Sequence, residues 1–234
     1  CKEADRSLGK ISSYQRSTLG SLAPSEAKVE LEVLYNQMEI FKFLIYFYMI
    51  LGLVSLALGF YRLFSGKKFR FEGALSLAFY FGFAVHLLNL ALRAYISGHA
   101  PWSDAYESLV YISLASVLAG VLFFKHQSFA LGAASLFASV SLLVAHLNFI
   151  NPQITNLVPV LKSFWLSVHV SVITASYGFL GFSFVLGLLG LLLMAIKNQK
   201  NEIMSLQDLM IEEAYKTRYI FNKIAYICTR KGTI

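Results

Sequence analysis

Charge is what this chain has least of. Asp, Glu, Lys and Arg make up 14% of its 234 residues, where soluble domains carry roughly 25%. With 57% of the residues apolar, too little polar surface remains to cover a globule in water, so most of the chain needs lipid as its solvent. Proline is scarce as well. Pro24, Pro101, Pro152 and Pro159 all lie outside the long apolar runs, which argues against the broken helices of many transporters. The two cysteines, Cys1 and Cys228, form no CxxC and no zinc-like spacing. No apolar run alternates with period two, which excludes a membrane barrel. There is no phosphate-binding glycine loop, no Ser/His/Asp constellation and no pair of carboxylates inside an apolar run. The leading Cys1 reads as the start of a piece of a longer chain rather than as a lipid-modified first residue.

What is present is apolar length. A helix needs about 20 apolar residues to cross roughly 30 Å of hydrocarbon. Five runs qualify, at 43–63, 73–95, 108–124, 129–147 and 164–196. The expected fold is therefore all-α, a polytopic transmembrane bundle of about five spans. Residues 1–42 form an external polar segment and a pre-membrane helix, 43–196 the bundle, and 197–234 a cytoplasmic tail. The first 24 residues, rich in Ser and Gly, are expected to be extended or loosely ordered. Ser25 is a helix N-cap followed by an acid, Glu26, in the first turn. Val29, Val33, Leu34 and Ile40 then form a helical stripe. The tail is expected to be helical to about residue 227, with Glu212 and Lys216 one turn apart.

The net charge of +7 sits mostly beside the apolar runs, which is how topology is encoded; nucleic acid is not an expected partner. Arg62, Lys67, Lys68, Arg70, Lys125, Lys197 and Lys200 gather on one side. The opposite loops hold Arg93 and Lys162, with Lys28 and Lys42 before the first span. The excess places the first group in the cytoplasm, so the N-terminus and the loops 97–107 and 148–163 are outside and the C-terminus inside. Cys1 and Cys228 then lie on opposite sides and cannot pair. Small residues crowd the fourth run (Ala130, Gly132, Ala133, Ala134, Ser135, Ala138, Ser139). In the fifth, Ser183 and Gly187 stand four apart, beside Gly178, Gly181 and Gly190. These are packing positions.

Five histidines are sorted by depth. His126 lies in the cytoplasmic turn 125–128. His86 falls near the middle of the second span, where an ionisable group is a functional candidate by default and a neutral imidazole bonded to a neighbouring helix is the plainer reading. His99, His146 and His169 gather at the outer face, His169 about 7–8 Å into the last span by helix rise. Imidazole is a common ligand of metals and haem iron; the alternative is a His anchoring an aromatic interface. Trp102 and Tyr106 suit an interfacial aromatic belt, and Ser103 suits the cap of the third span. Glu107, at that span's outer edge, needs a partner, with Arg93 or a histidine in reach.

Two stretches carry a resemblance. GHAPWSDAYESLVYISLAS (98–116) resembles the first signature of the haem-handling cytochrome c assembly proteins, the system II cytochrome c synthases and their haem lyase relatives. Members show Pro-x-Ser-Asn-x-Tyr-Glu-Ser; here stand Pro101, Ser103, Tyr106, Glu107 and Ser108, with Asp104 in place of Asn. LVPVLKSFWLSVHVSVITASYGFLG (157–181) resembles the segment with an external haem-ligating His, in a pattern like Leu-x-Ser-x-Trp-Leu-x-x-His-Val. Here these are Leu161, Ser163, Trp165, Leu166, His169 and Val170. The match spans roughly 70–196, and more loosely 26–70, where fused synthases join their two subunit sequences.

The resemblance implies a protein of the bacterial inner membrane that handles b-type haem as substrate. It implies that haem is presented at the external face for thioether attachment to the Cys-x-x-Cys-His of apocytochrome c. His169 is then a haem axial ligand, with Trp102, Tyr106, Glu107 and Trp165 as support of the haem site. Complete members act as haem lyases and carry a Trp-rich loop and a second external His. This chain has only Trp102 and Trp165 and neither of those features, so the implied partners include the rest of the synthase, a further C-terminal region and a B-type subunit or fused portion. Attachment by these residues alone is not implied. His86, His99 and His146 match no family ligand position. A permease fragment and a non-catalytic assembly subunit stand as alternatives.

Overall fold

The computed structural model describes residues 2–20, 25–65, 72–123, 128–147, 152–154, 163–195 and Tyr219. Expectations about Cys1, Lys125, His126, the Glu212–Lys216 pair, Cys228 and, Tyr219 apart, the helical tail fall outside these residues. Among the described residues there are seven helices and no strand: α1 (Lys2–Leu19), α2 (Glu26–Met38), α3 (Ile40–Ser65), α4 (Glu72–Ser97), α5 (Ala105–Phe123), α6 (Ser128–Ala145) and α7 (Phe164–Ala195). The chain divides into two units, 1–39 and 40–234.

In the first unit the expected loose entry is a helix instead. The hydroxyls of Ser13, Ser17 and Thr18 donate to carbonyls three or four residues back, so they are satisfied inside the helix instead of competing with it. The segment also supplies Lys, Glu, Ala, Arg and Leu, all good helix formers. Helix α2 starts as expected, with Ser25 extended and its side chain accepting from the Lys28 amide at 3.4 Å. Val29, Val33 and Leu34 on its stripe are exposed. The helix stops at Glu39, whose φ of 42° lies in the left-handed region, uncommon for a residue with a Cβ.

The second unit is an up-and-down bundle, and its directions follow from which residues touch. The Ser139 hydroxyl donates to the Ile45 carbonyl at 2.9 Å, Gly52 faces Leu136 and Gly59 faces Phe129. One set of numbers rises as the other falls, so α3 and α6 are antiparallel. Ser113 and Ser116 of α5 donate to the Ala138 and Ala134 carbonyls of α6, at 3.0 and 3.1 Å, again antiparallel. Gly178 of α7 lies against Ile112 and Ala115 of α5, which run in the same direction. Helix α6 is the core of the bundle because its small side chains let three neighbours approach. On α7 Gly187 is not a packing position, since a Cβ there meets nothing, whereas one on Gly181 would fall within the Phe137 ring.

Around this core the perimeter is apolar. Leu77, Phe81 and Leu88 on α4 and Phe184 and Leu191 on α7 are exposed, while Ser113, Ser116, Ser135 and Ser139 are fully buried. Polar atoms inside and large apolar side chains outside is the inverse of a soluble protein, and it is what lipid requires. Among the described residues five helices are long and apolar enough to cross a membrane; this is a multi-pass membrane protein.

Candidate functional site

The alternating directions bring the end of α4, the α4–α5 loop, the start of α5, the end of α6 and the start of α7 to one end of the bundle. Helix α4 stops at Gly98, whose φ of 72° needs a residue without a Cβ; its amide closes on the Ala94 carbonyl at 2.9 Å. The loop then folds back on itself. The Ser103 hydroxyl donates to the Ala100 carbonyl at 2.9 Å, and Ser108 donates to the Trp102 carbonyl at 3.1 Å. Ser103 is therefore not the cap of α5. Asp104 holds that place, its carboxylate accepting from the Ala105 amide at 2.7 Å and its carbonyl from Ser108 at 2.8 Å.

Glu107 finds the partner its position demanded. The Arg93 Nε donates to Glu107 Oε1 at 3.0 Å, with both side chains only 2% exposed. The other carboxylate oxygen accepts from the Ser103 amide at 3.2 Å and lies 3.8 Å from His99 Nδ1. The guanidinium also donates through Nη1 to the Pro152 carbonyl at 2.9 Å and sits 4.8 Å above the Tyr106 ring. One buried arginine thus joins α4, α5 and the segment leading toward α7. Such a pair repays its desolvation only when further hydrogen bonds satisfy both ions, and here they do.

Tyr106 is buried, not a belt residue. Its hydroxyl lies 3.3 Å from His146 Nε2, while His146 Nδ1 lies 2.9 Å from the Leu142 carbonyl. A carbonyl can only accept, so Nδ1 carries the proton and Nε2 accepts from the tyrosine. Both nitrogens of His146 are thereby used within the fold, which removes it as a ligand. His99 turns toward Glu107 and the Ala100 carbonyl. The three outer histidines do not converge: among the described residues no three His, Cys, Asp or Glu are placed to hold a metal ion.

His169 stands apart on the exposed side of α7, with Trp165 one turn earlier and 77% exposed. Ser167, between them in sequence, points the other way. At about 100° per residue it lies about 160–200° around the helix from both. It is held there by Trp102, whose indole Nε1 donates to the Ser167 carbonyl at 3.0 Å and reaches its hydroxyl at 3.3 Å. Trp102 therefore pins α7 from behind and leaves Trp165 and His169 facing outward. Sequence reasoning found these residues but not the Trp102–Ser167 and Arg93–Pro152 ties, because a backbone carbonyl acceptor has no signature in sequence.

The loop that begins at Trp102 is also where a family match begins. The profile of the Cytochrome C assembly protein family matches residues 102–234, more than half of the chain. The chain belongs to this family. It is 49% identical over 193 residues to Protein NrfI of Wolinella succinogenes, covering 82% of this chain and 21% of NrfI. It is 40% identical over 93 residues to the Cytochrome c biogenesis protein CcsA of Prochlorococcus marinus strain MIT 9303, covering 38% and 29% of the two chains. A CcsA of Chlorella vulgaris is 33% identical over 151 residues, covering 58% and 47%. The chain spans about a fifth of NrfI and less than half of these CcsA relatives. Trp102, Tyr106, Glu107, Trp165 and His169 all lie within the matched segment.

Proposed function

We propose that this chain serves cytochrome c biogenesis by holding haem at the outer end of its bundle, with His169 as one axial ligand to the iron. The observation that carries the reading is the outward stripe of α7. An imidazole there is exposed, no described side chain hydrogen-bonds to it, and an exposed indole stands one turn away. An imidazole nitrogen with a free lone pair is what haem iron binds, and an indole beside it offers a flat apolar face to the macrocycle.

Trp102, Tyr106, Glu107 and Arg93 act at a distance from the iron. They fix the loop and the first turns of α7, so that His169 is presented on a rigid element rather than on a loop. Haem is the substrate, and the second partner is an apocytochrome c whose Cys-x-x-Cys-His thiols take the haem vinyl groups. The excess of Lys and Arg that the sequence carries after its first, third and fifth apolar runs supports an orientation with the site outside the bacterial inner membrane and the C-terminus in the cytoplasm. The permease reading has less support, since α3 to α7 each run unbroken where transporter sites use interrupted helices.

The test is the haem content of the detergent-purified chain, measured as the pyridine haemochrome, for wild type beside His169→Gly and His146→Gln. The expected result is haem in wild type and in His146→Gln and a large loss in His169→Gly. Equal haem in all three would remove His169 from the site.

A further inference from the structure

A second polar cluster lies deeper in the bundle, apart from the outer network. His86 and Asn89 are three residues apart on α4, so they share a face. By helix rise His86 is about 16 Å along the axis from the end of α4 at Ser97. The Tyr48 ring of α3 is 5.9 Å from the His86 ring, centre to centre. Gly82, one turn before His86, leaves space for Tyr48: a Cβ there would stand 3.1 Å from Tyr48 Cε1. His86 and Tyr48 are wholly buried and Asn89 is 3% exposed.

None of their polar side-chain atoms has a hydrogen-bond partner among the described residues: Tyr48 Oη, His86 Nδ1 and Nε2, Asn89 Oδ1 and Nδ2. The Val110 backbone of α5 approaches the imidazole as a hydrogen-bonding group, but the contact falls short of full hydrogen-bond geometry. An unpaired hydroxyl or amide away from water costs about 1–3 kcal/mol by protein measurements. Native folds leave only a few such groups unpaired per 100 residues, and here five unpaired atoms belong to three neighbouring side chains. Several orphans on two facing helices point to a common partner that is small and both donates and accepts.

We propose that Tyr48, His86 and Asn89 form an internal site that holds water within the membrane-spanning bundle. The donor set decides the occupant. A tyrosine hydroxyl, a primary amide and a neutral imidazole offer donors and acceptors in a mixture that water matches. They bring no carboxylate or thiolate for a metal ion, and no three ligating residues gather there. Phe41 separates the site from the outer network: it meets the His86 ring edge-on at 5.6 Å and the Tyr106 ring at 6.4 Å, and is itself buried. The water is thus held from solvent by an aromatic seal. It bridges α3 to α4 by hydrogen bonds of the kind that bind helices where hydrophobic force between them is absent.

Radiolytic hydroxyl labelling with mass spectrometry, on the chain in lipid nanodiscs, tests this. Radicals formed from a bound water oxidise the side chain beside it, however deeply buried. Tyr48 is expected to react several-fold faster than Phe79, an equally buried ring, after correction for intrinsic reactivity. Asn89→Leu is expected to slow Tyr48 several-fold with Phe79 unchanged. Equal corrected rates for Tyr48 and Phe79 in wild type would show the site to be dry and overturn the proposal. So would a Tyr48 rate untouched by Asn89→Leu. Should that variant fail to fold, the wild-type comparison decides alone.

Discussion

Arg93 concentrates more of the outer end's order than any sequence motif suggests. Removing it strands the Glu107 carboxylate in a site 2% exposed, and breaking one side of a buried pair costs about 3–5 kcal/mol. Arg93→Ala should therefore lower thermal stability by about that amount in detergent, followed by intrinsic tryptophan fluorescence. Replacing both ions, as Arg93→Met with Glu107→Leu, should recover much of the loss, since no charge is left unpaired. Equal damage from the single and double variants would show that the Pro152 tie, not the ion pair, carries the effect. The need for a Glu107 partner was legible in sequence because a carboxylate at the edge of an apolar run cannot stand alone. The choice of Arg93 over the histidines was not, since it depends on how α4 and α5 face each other. Trp102 was legible as an interfacial aromatic, but its indole bond to Ser167 was not. Trp102→Phe should cost about 1 kcal/mol and release the start of α7, seen as faster amide exchange over residues 164–170. Unchanged exchange there would mean that the tie does not order the helix.

The helices themselves were read more easily than their faces. Long apolar runs bounded by polar turns leave little choice but a spanning helix, and the small residues of α6 marked it as a packing core. Helix α7 was harder, because small residues occur along its length and only neighbours decide which are used. A Cβ at Gly178 would stand 2.6 Å from the Ile112 carbonyl oxygen, whereas Gly187 has nothing within 4 Å. Gly178→Ala should thus be clearly destabilising. Gly187→Ala should be neutral or stabilising by up to about 1 kcal/mol, the difference in helix propensity. The reverse order in thermal melts would mean that α7 packs through its other face. Helix α1 was missed because its polar composition resembles a linker; its hydroxyls turn inward onto their own helix, which composition does not reveal.

Over the whole bundle, the apolar helices α3 to α7 alternate in direction and gather the residues that carry the family resemblance at one end, while the sequence places most of its basic residues after its first, third and fifth apolar runs. That asymmetry predicts which end faces out. In a Cys1→Ser/Cys228→Ser background, Ser163→Cys, at an exposed position just before α7, should react with a membrane-impermeant maleimide added to intact cells after removal of the outer barrier. Labelling only after lysis would invert the bundle. At this scale the outer end is a rigid platform: the buried network and the Trp102 tie turn one face of α7 outward. Whether that face meets iron is best tested by chemical rescue. His169→Gly, purified with and without added imidazole and read by its reduced and oxidised absorption spectra, should lose its Soret band and regain it when imidazole fills the vacated position. A Soret band that is as strong in His169→Gly as in wild type, and indifferent to imidazole, would contradict the assignment of His169 as the haem ligand.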